Sequence, residues 1–124
     1  MNEELYKENI LDHNRNPHNK GALASYDISH NGKNVNCGDD VTLYFKFDEE
    51  NKVKEVGFEG KGCAISTAAT SMLTDKIKGL NKEEIQSLTE KDILDMLGIE
   101  IGISRENCAF LSLNTLKEAL NKNE

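Results

Sequence analysis

VTLYFKFDEENKVKEVGFEGKGCAISTAATSMLTDKI, residues 41–77, changes its period partway along and so decides the fold. In residues 41–47, Val41, Leu43, Phe45 and Phe47 alternate with Thr42, Tyr44 and Lys46, the pattern of a half-buried strand. Asp48-Glu49-Glu50-Asn51 reads as a solvated turn, and residues 53–59 return as a second strand with Val56 and Phe58 on one face. Gly60 and Gly62 are expected to break that strand. From Ala64 onward the period is helical, because Ile65, Ala68, Ala69, Met72, Leu73 and Ile77 share a face. Gly79 supplies a stop.

Upstream, residues 3–14 read as a helix with Leu5, Tyr6, Ile10 and Leu11 as its apolar stripe, closed by Asn16-Pro17. Residues 25–30 are a possible short strand and Asn31-Gly32 a turn. Downstream, Asn81 to Leu88 and Thr89 to Leu97 each open on a cap pair, Asn81 with Glu84 and Thr89 with Asp92. Ser104 is expected to cap a last helix running to about Asn121. The order of helix, strands and then helices predicts an α+β fold: a three-stranded antiparallel sheet with helices packed on one side. The 124 residues form a single expected domain, 1–124, with no linker or repeat.

Hydrophobic residues make up 37% and charged residues 30%, enough apolar material for one core. A net charge of −7 repels a phosphate backbone, so nucleic acid is not an expected partner. No apolar run reaches membrane-spanning length and the opening residues lack a signal-peptide pattern, so a cytoplasmic, membrane-free protein is expected. Three cysteines, an odd number, argue against a disulfide framework and for metal-binding or reactive thiols.

Those thiols sit in suggestive settings. Cys37 lies in the polar loop Asn36-Cys37-Gly38-Asp39, Cys63 follows Gly60-Lys61-Gly62 at a helix start, and Cys108 falls in the first turn expected for the last helix. A helix N-terminus favours an anion by about 0.3–1 kcal/mol, which favours the thiolate that binds metal or attacks sulfur. Gly38, Gly60 and Gly62 are expected to leave backbone room beside the sulfurs. With Asp39 the cysteines number four ligands, the count of a tetrahedral site, and a hard oxygen among soft sulfurs makes such a site looser. The plain alternative is three unrelated buried cysteines, since this residue type is often buried. His13, His18 and His30 lie on the first helix, the link after it and the first strand, and read as surface residues rather than ligands. No Ser–His–Asp arrangement, phosphate loop or HExxH motif is present.

Asn36-Cys37-Gly38-Asp39, then Phe58-Glu59-Gly60-Lys61-Gly62-Cys63-Ala64-Ile65-Ser66, then Cys108-Ala109 with Leu111 and Leu116-Lys117 resemble three successive cysteine motifs of one family. It is the IscU/SufU/NifU N-terminal family of U-type iron–sulfur cluster assembly scaffolds, with a SufE/NifU-like fold. The opening, Leu5-Tyr6 through Asp12-His13 to Asn16-Pro17-His18-Asn19-Lys20-Gly21, is similar to its SufU branch.

The resemblance implies a scaffold that accepts sulfur from a cysteine desulfurase, holds a transient 2Fe–2S cluster and passes it to apo iron–sulfur client proteins. It implies Cys37, Asp39, Cys63 and Cys108 as ligands of that cluster or of Zn2+, and Lys61 beside them. Cys108 is the candidate sulfur acceptor, with Cys37 and Cys63 also candidates for sulfur chemistry. Asn107 stands where the IscU branch carries a His, so Asp39 becomes the expected fourth ligand. Gly102-Ile103-Ser104-Arg105-Glu106 replaces a Leu-Pro-Pro-Val-Lys segment, so a dedicated Hsp70 chaperone is not an expected partner. Arg105 and Cys108-Ala109 look like the SufU branch, yet only 44 residues separate Cys63 from Cys108, the IscU length. Two other functions stay open: a SufU-type zinc-dependent sulfurtransferase partner of a desulfurase, and a structural zinc-binding interaction domain without turnover.

Overall fold

The computed structural model describes residues 3–34 and 38–122. Helix α1 (Glu3–Arg15) leads into strands β1 (Ile28–Asn34), β2 (Asp39–Phe47) and β3 (Val53–Lys61). Helices α2 (Ala64–Ile77), α3 (Lys82–Gln86), α4 (Glu90–Leu97) and α5 (Ile103–Lys122) follow. The strands form an antiparallel meander in the order β1-β2-β3. Helix α5 packs on β1 and β2, α2 packs on β3 and α5, and α1 covers α2. The α+β architecture expected from the change of period is the one observed.

The buried row of β2 decides where the core meets the chemistry. Val41, Leu43 and Phe45 point inward, and the alternation extends two residues further back to Asp39, which is also buried. On β3 the register slips between Lys46 and Phe47, so that Glu55 faces Lys46 and Val53 faces Phe47. This bulge at Lys54 lets Val53 and Val56 both reach the core despite their odd spacing. The outer face is polar: Tyr44 donates to Glu59 at 2.7 Å and packs edge-on against Tyr26.

Three local expectations are corrected. Asn31-Gly32 is not a turn but lies inside β1, paired with Thr42 and Val41. A Cβ on Gly32 would fall 1.9 Å from Oγ1 of Thr115, so this glycine serves the close approach of α5 rather than a reversal. Gly60 does not end β3, which continues to Lys61 opposite Asp40. Ser104 does not precede the last helix but lies within it: the Arg105 N–H donates to the Gly102 carbonyl at 2.8 Å, and α5 begins at Ile103. The link after α1 is more ordered than a polar tether. Gly21 N–H donates to Phe58 O and Phe58 N–H donates to Asn19 O, which closes the free edge of β3.

Both expected cap pairs form. Asn81 Oδ1 accepts from the Glu84 N–H while Glu84 Oε1 accepts from the Asn81 N–H, and Thr89 and Asp92 repeat the exchange. These reciprocal bonds hold two short helices beneath α5. Asn81→Ala and Thr89→Ala should each lower unfolding free energy by about 1 kcal/mol, measured by urea titration. The same loss from substituting exposed Glu90, which caps nothing, would refute that account.

Candidate metal centre

Three elements bring their ends together. Gly38, at φ 71, takes the left-handed conformation open to glycine and turns the chain into β2, so that Asp39 is the first inward residue of the strand. Cys63 is the N-cap of α2, with its carbonyl accepting the Thr67 N–H at 2.9 Å. Cys108 lies on α5, on the same face as Thr115, which packs against Gly32 of β1. One ligand atom from each of Asp39, Cys63 and Cys108 lies within 4.8 Å of the other two. Donor atoms on a tetrahedral zinc stand about 3.7 Å apart, given Zn–S near 2.3 Å, so closure needs a movement of no more than about 1 Å. Cys37 lies outside the described residues.

Burial is uneven. Cys108 is 2% exposed and Asp39 6% exposed, while Cys63 is half-buried. Asp39 Oδ2 is enclosed and finds no hydrogen-bond partner among the described residues. A buried carboxylate oxygen left unpaired costs about 1–3 kcal/mol or more, and a bound cation removes that cost. Two thiol sulfurs and an unpaired carboxylate oxygen at this spacing fit a borderline metal such as zinc or iron.

Only one of the two described thiols lies at a helix N-terminus. Cys63 sits where the free N–H groups of α2 begin. Cys108 is the sixth residue of α5, beyond the first turn to which the helix-terminus effect is confined. The glycines leave less room than expected. A Cβ on Gly60 would meet Asp40 O at 2.2 Å and one on Gly62 would meet Ser66 Oγ at 2.8 Å, so both spaces are filled by the protein itself. Only Gly38, of those three, faces open space. Lys61 and Arg105 are both exposed.

The histidines stand apart from this cluster. His13 Nδ1 lies 2.7 Å from Ser71 Oγ, His18 Nδ1 lies 2.6 Å from Asp75, and His30 Nε2 lies 3.2 Å from Glu118. Burial and the neighbouring His18 charge hold His13 below the usual histidine range. Burial pushes the Asp75 carboxyl up, but hydrogen bonds from His18 and Asn19 outweigh it and leave it below its ordinary value. These contacts fasten α1 and the following link to α2.

Residues 5–124 match the sequence profile of the NifU-like N terminal domain. The chain belongs to the NifU-like N-terminal domain family. Within that family it is 37% identical, over 95% of its length and 94% of the relative, to the iron–sulfur cluster assembly scaffold protein IscU of Thermotoga maritima. It is 36% identical to the zinc-dependent sulfurtransferase SufU of Bacillus subtilis, over 97% of this chain and 92% of that one. Among solved structures, FiSufU of Fervidobacterium islandicum superposes with a TM-score of 0.77 at 30% identity, covering 96% of this chain and 99% of that one. The N-terminal part of a NifU-like protein from Brucella abortus shares the fold, with a TM-score of 0.77 at 20% identity over 96% of this chain and 94% of its own. No helix among the described residues is long and apolar enough to cross a membrane.

The unequal burial of the thiols predicts unequal reactivity. In metal-free protein, iodoacetamide should modify Cys63 several-fold faster than Cys108, read by peptide mass spectrometry. Zinc should protect both; a Cys108 that reacts first would contradict the packing of α5.

Proposed function

We propose that this protein is a scaffold on which an iron–sulfur cluster is assembled and from which it is passed on. The observation that carries the reading is the convergence of Asp39, Cys63 and Cys108, from a strand, a helix cap and a second helix, within 4.8 Å. Cys37, two positions before Asp39, is the proposed fourth ligand. Iron and sulfide are cargo, held as a transient 2Fe–2S cluster by three thiolates and one carboxylate. The hard oxygen of Asp39 among soft sulfurs gives the set its weakest bond and therefore its exit.

Sulfur enters from a cysteine desulfurase. A thiolate of this chain attacks the outer sulfur of the desulfurase persulfide, the S–S bond breaks, and the desulfurase departs as a thiolate. Cys108 is the proposed acceptor. At 2% exposure its Sγ meets a donor only after the first turns of α5 lift, whereas Cys63 is reached without that movement. Apo iron–sulfur proteins of the cytoplasm are the proposed recipients.

A second reading is supported by Asn107, which brings no ring nitrogen to the cluster, and by the buried carboxylate of Asp39. A site of one Asp and three Cys suits resident Zn2+, and the protein would then be a zinc-dependent sulfur acceptor like the Bacillus subtilis relative's name describes. A structural zinc domain is the third. Anaerobic incubation with ferrous iron, a cysteine desulfurase and cysteine separates them. A visible 2Fe–2S spectrum, followed by transfer to an apo-ferredoxin, supports the scaffold. Stimulation of desulfurase turnover by the zinc form without a transferable cluster supports the second. Neither outcome leaves the structural domain.

A further inference from the structure

The end of the sheet that bears Asp39 also bears a row of charge on its outer face. Lys33 of β1 stands opposite Asp40 of β2, and Asp40 stands opposite Lys61 of β3. Asp40 follows Asp39 directly, so the two side chains point to opposite faces of the strand. Neighbouring strands lie about 4.7–4.9 Å apart, so the two lysines bracket Asp40 closely on either side of the strand end. Both lysines are exposed, and among the described residues neither they nor Asp40 take part in an ion pair. Lys7, Lys52 and Lys78, by contrast, pair with Glu3, Glu50 and Asp75. Two cations against one carboxylate leave the row positive. The next row holds Asn31, Thr42 and Glu59, and Glu59 is occupied by the Tyr44 hydroxyl at 2.7 Å. Lys33 also lines a shallow groove with Asn107, Leu111 and Asn114 of α5, and none of the residues lining it is acidic.

The sign of this rim is the reverse of the molecule's, which carries a net charge of −7. An acidic protein is repelled by most of such a surface and attracted at the rim, which orients it before contact. Position matters as much as sign. Release of a cluster requires the recipient's own ligands to replace those of the scaffold, so the recipient must come within bonding distance of the centre. Lys33 and Lys61 straddle the strand end that bears Asp39, the ligand with the weakest bond. Cys108 is reached from the other side, through α5, so sulfur donor and recipient approach by different routes.

We propose that Lys33 and Lys61 form the docking rim for an acidic recipient protein, seating its carboxylates beside Asp39 while the cluster passes. The proposal rests on the scaffold reading of the site. Sequence reading passes over the pair because Lys33 and Lys61 lie far apart in the chain and only strand register sets them on either side of Asp40.

The test compares wild type, Lys33→Glu/Lys61→Glu and, as a control, Lys52→Glu/Lys54→Glu, an equal change of charge at the far end of the same sheet. The probe is an acidic apo-ferredoxin. Transfer of the 2Fe–2S cluster from wild type should slow by about tenfold or more from low to high salt. The rim variant should transfer about tenfold more slowly than wild type at low salt and match it at high salt. The far-end variant should stay within about threefold of wild type, and zinc affinity by chelator competition should stay within about threefold in both variants. A far-end variant as slow as the rim variant shows that net charge alone matters and overturns the proposal. A rim variant whose zinc affinity falls along with its transfer rate also overturns it, because the lysines then serve the negative charge of the centre itself. So does a rim variant that slows sulfur delivery by the desulfurase and spares transfer. A wild type that builds no transferable cluster removes the scaffold reading, and the rim is then read by binding. Salt-sensitive binding of the ferredoxin to the zinc-loaded protein, lost in the rim variant alone, upholds the docking rim. Absence of such binding overturns it.

Discussion

Asp39→Ala is expected to raise the melting temperature of the metal-free protein and to lower that of the zinc-loaded protein. In the metal-free state the side chain is 6% exposed and its Oδ2 has no hydrogen-bond partner among the described residues. Removing a buried, unpaired polar oxygen should recover about 1–3 kcal/mol, a few degrees for a chain of this length. With zinc present the sign reverses. If Asp39 is the ligand proposed here, its loss should weaken binding by more than about 100-fold, beyond what loss of an outer donor causes. Saturating zinc stabilises the wild type in proportion to the logarithm of ligand concentration over dissociation constant, so a 100-fold loss removes about 2.7 kcal/mol. The two melting curves, recorded with and without zinc, should therefore cross over in order. A variant that melts lower in both states would mean that Asp39 serves packing alone, and unchanged zinc affinity would take it out of the centre.

The same residue shows what the sequence could and could not reveal. The alternation that places Val41, Leu43 and Phe45 inward extends back to Asp39, so its burial was readable as the next inward position of the strand. The change of period at Cys63 was equally plain, since a strand pattern and a helical pattern meet there, and the thiol is the cap of α2. Asn31-Gly32 misleads because the dipeptide is a strong local turn signal, while the cause of Gly32 is a helical residue, Thr115, more than 80 positions away in the chain. No local rule can see Thr115. Ser104 misleads in a milder way. Serine is a favoured cap, yet the first bond of α5 uses Gly102, which moves Cys108 to the sixth helical position. That shift takes Cys108 out of the reach of the helix terminus and leaves its burial against the sheet as the local determinant.

Gly32→Val should loosen the protein and its metal centre together. A Cβ at this position would lie 1.9 Å from Oγ1, 2.9 Å from Cβ and 3.1 Å from Cγ2 of Thr115. Turning the threonine aside is not a simple escape, because its Oγ1 donates to Leu111 O at 2.8 Å and its methyl group is also in the way. Valine favours strands over glycine by up to about 1 kcal/mol, which offsets part of the cost. Overpacking of a tight contact typically costs about 1–3 kcal/mol, so repulsion wins and α5 must move away from β1. Cys108 rides on the same face of α5 two turns earlier, and its Sγ is then drawn off from Asp39 and Cys63. Urea unfolding should show the destabilisation and chelator competition a weaker zinc complex. Adding Thr115→Ala removes Oγ1 and Cγ2 but leaves Cβ at 2.9 Å, so it should restore part of both losses and not all. The two sites touch, so their effects should depart from additivity by roughly 0.5–3 kcal/mol. Strict additivity, or a Gly32→Val protein with full stability, would show that β1 and α5 do not meet as closely as the glycine requires. Stability lost with zinc affinity intact would show instead that the position of Cys108 is set by its own neighbours and not by the seating of the helix on the sheet.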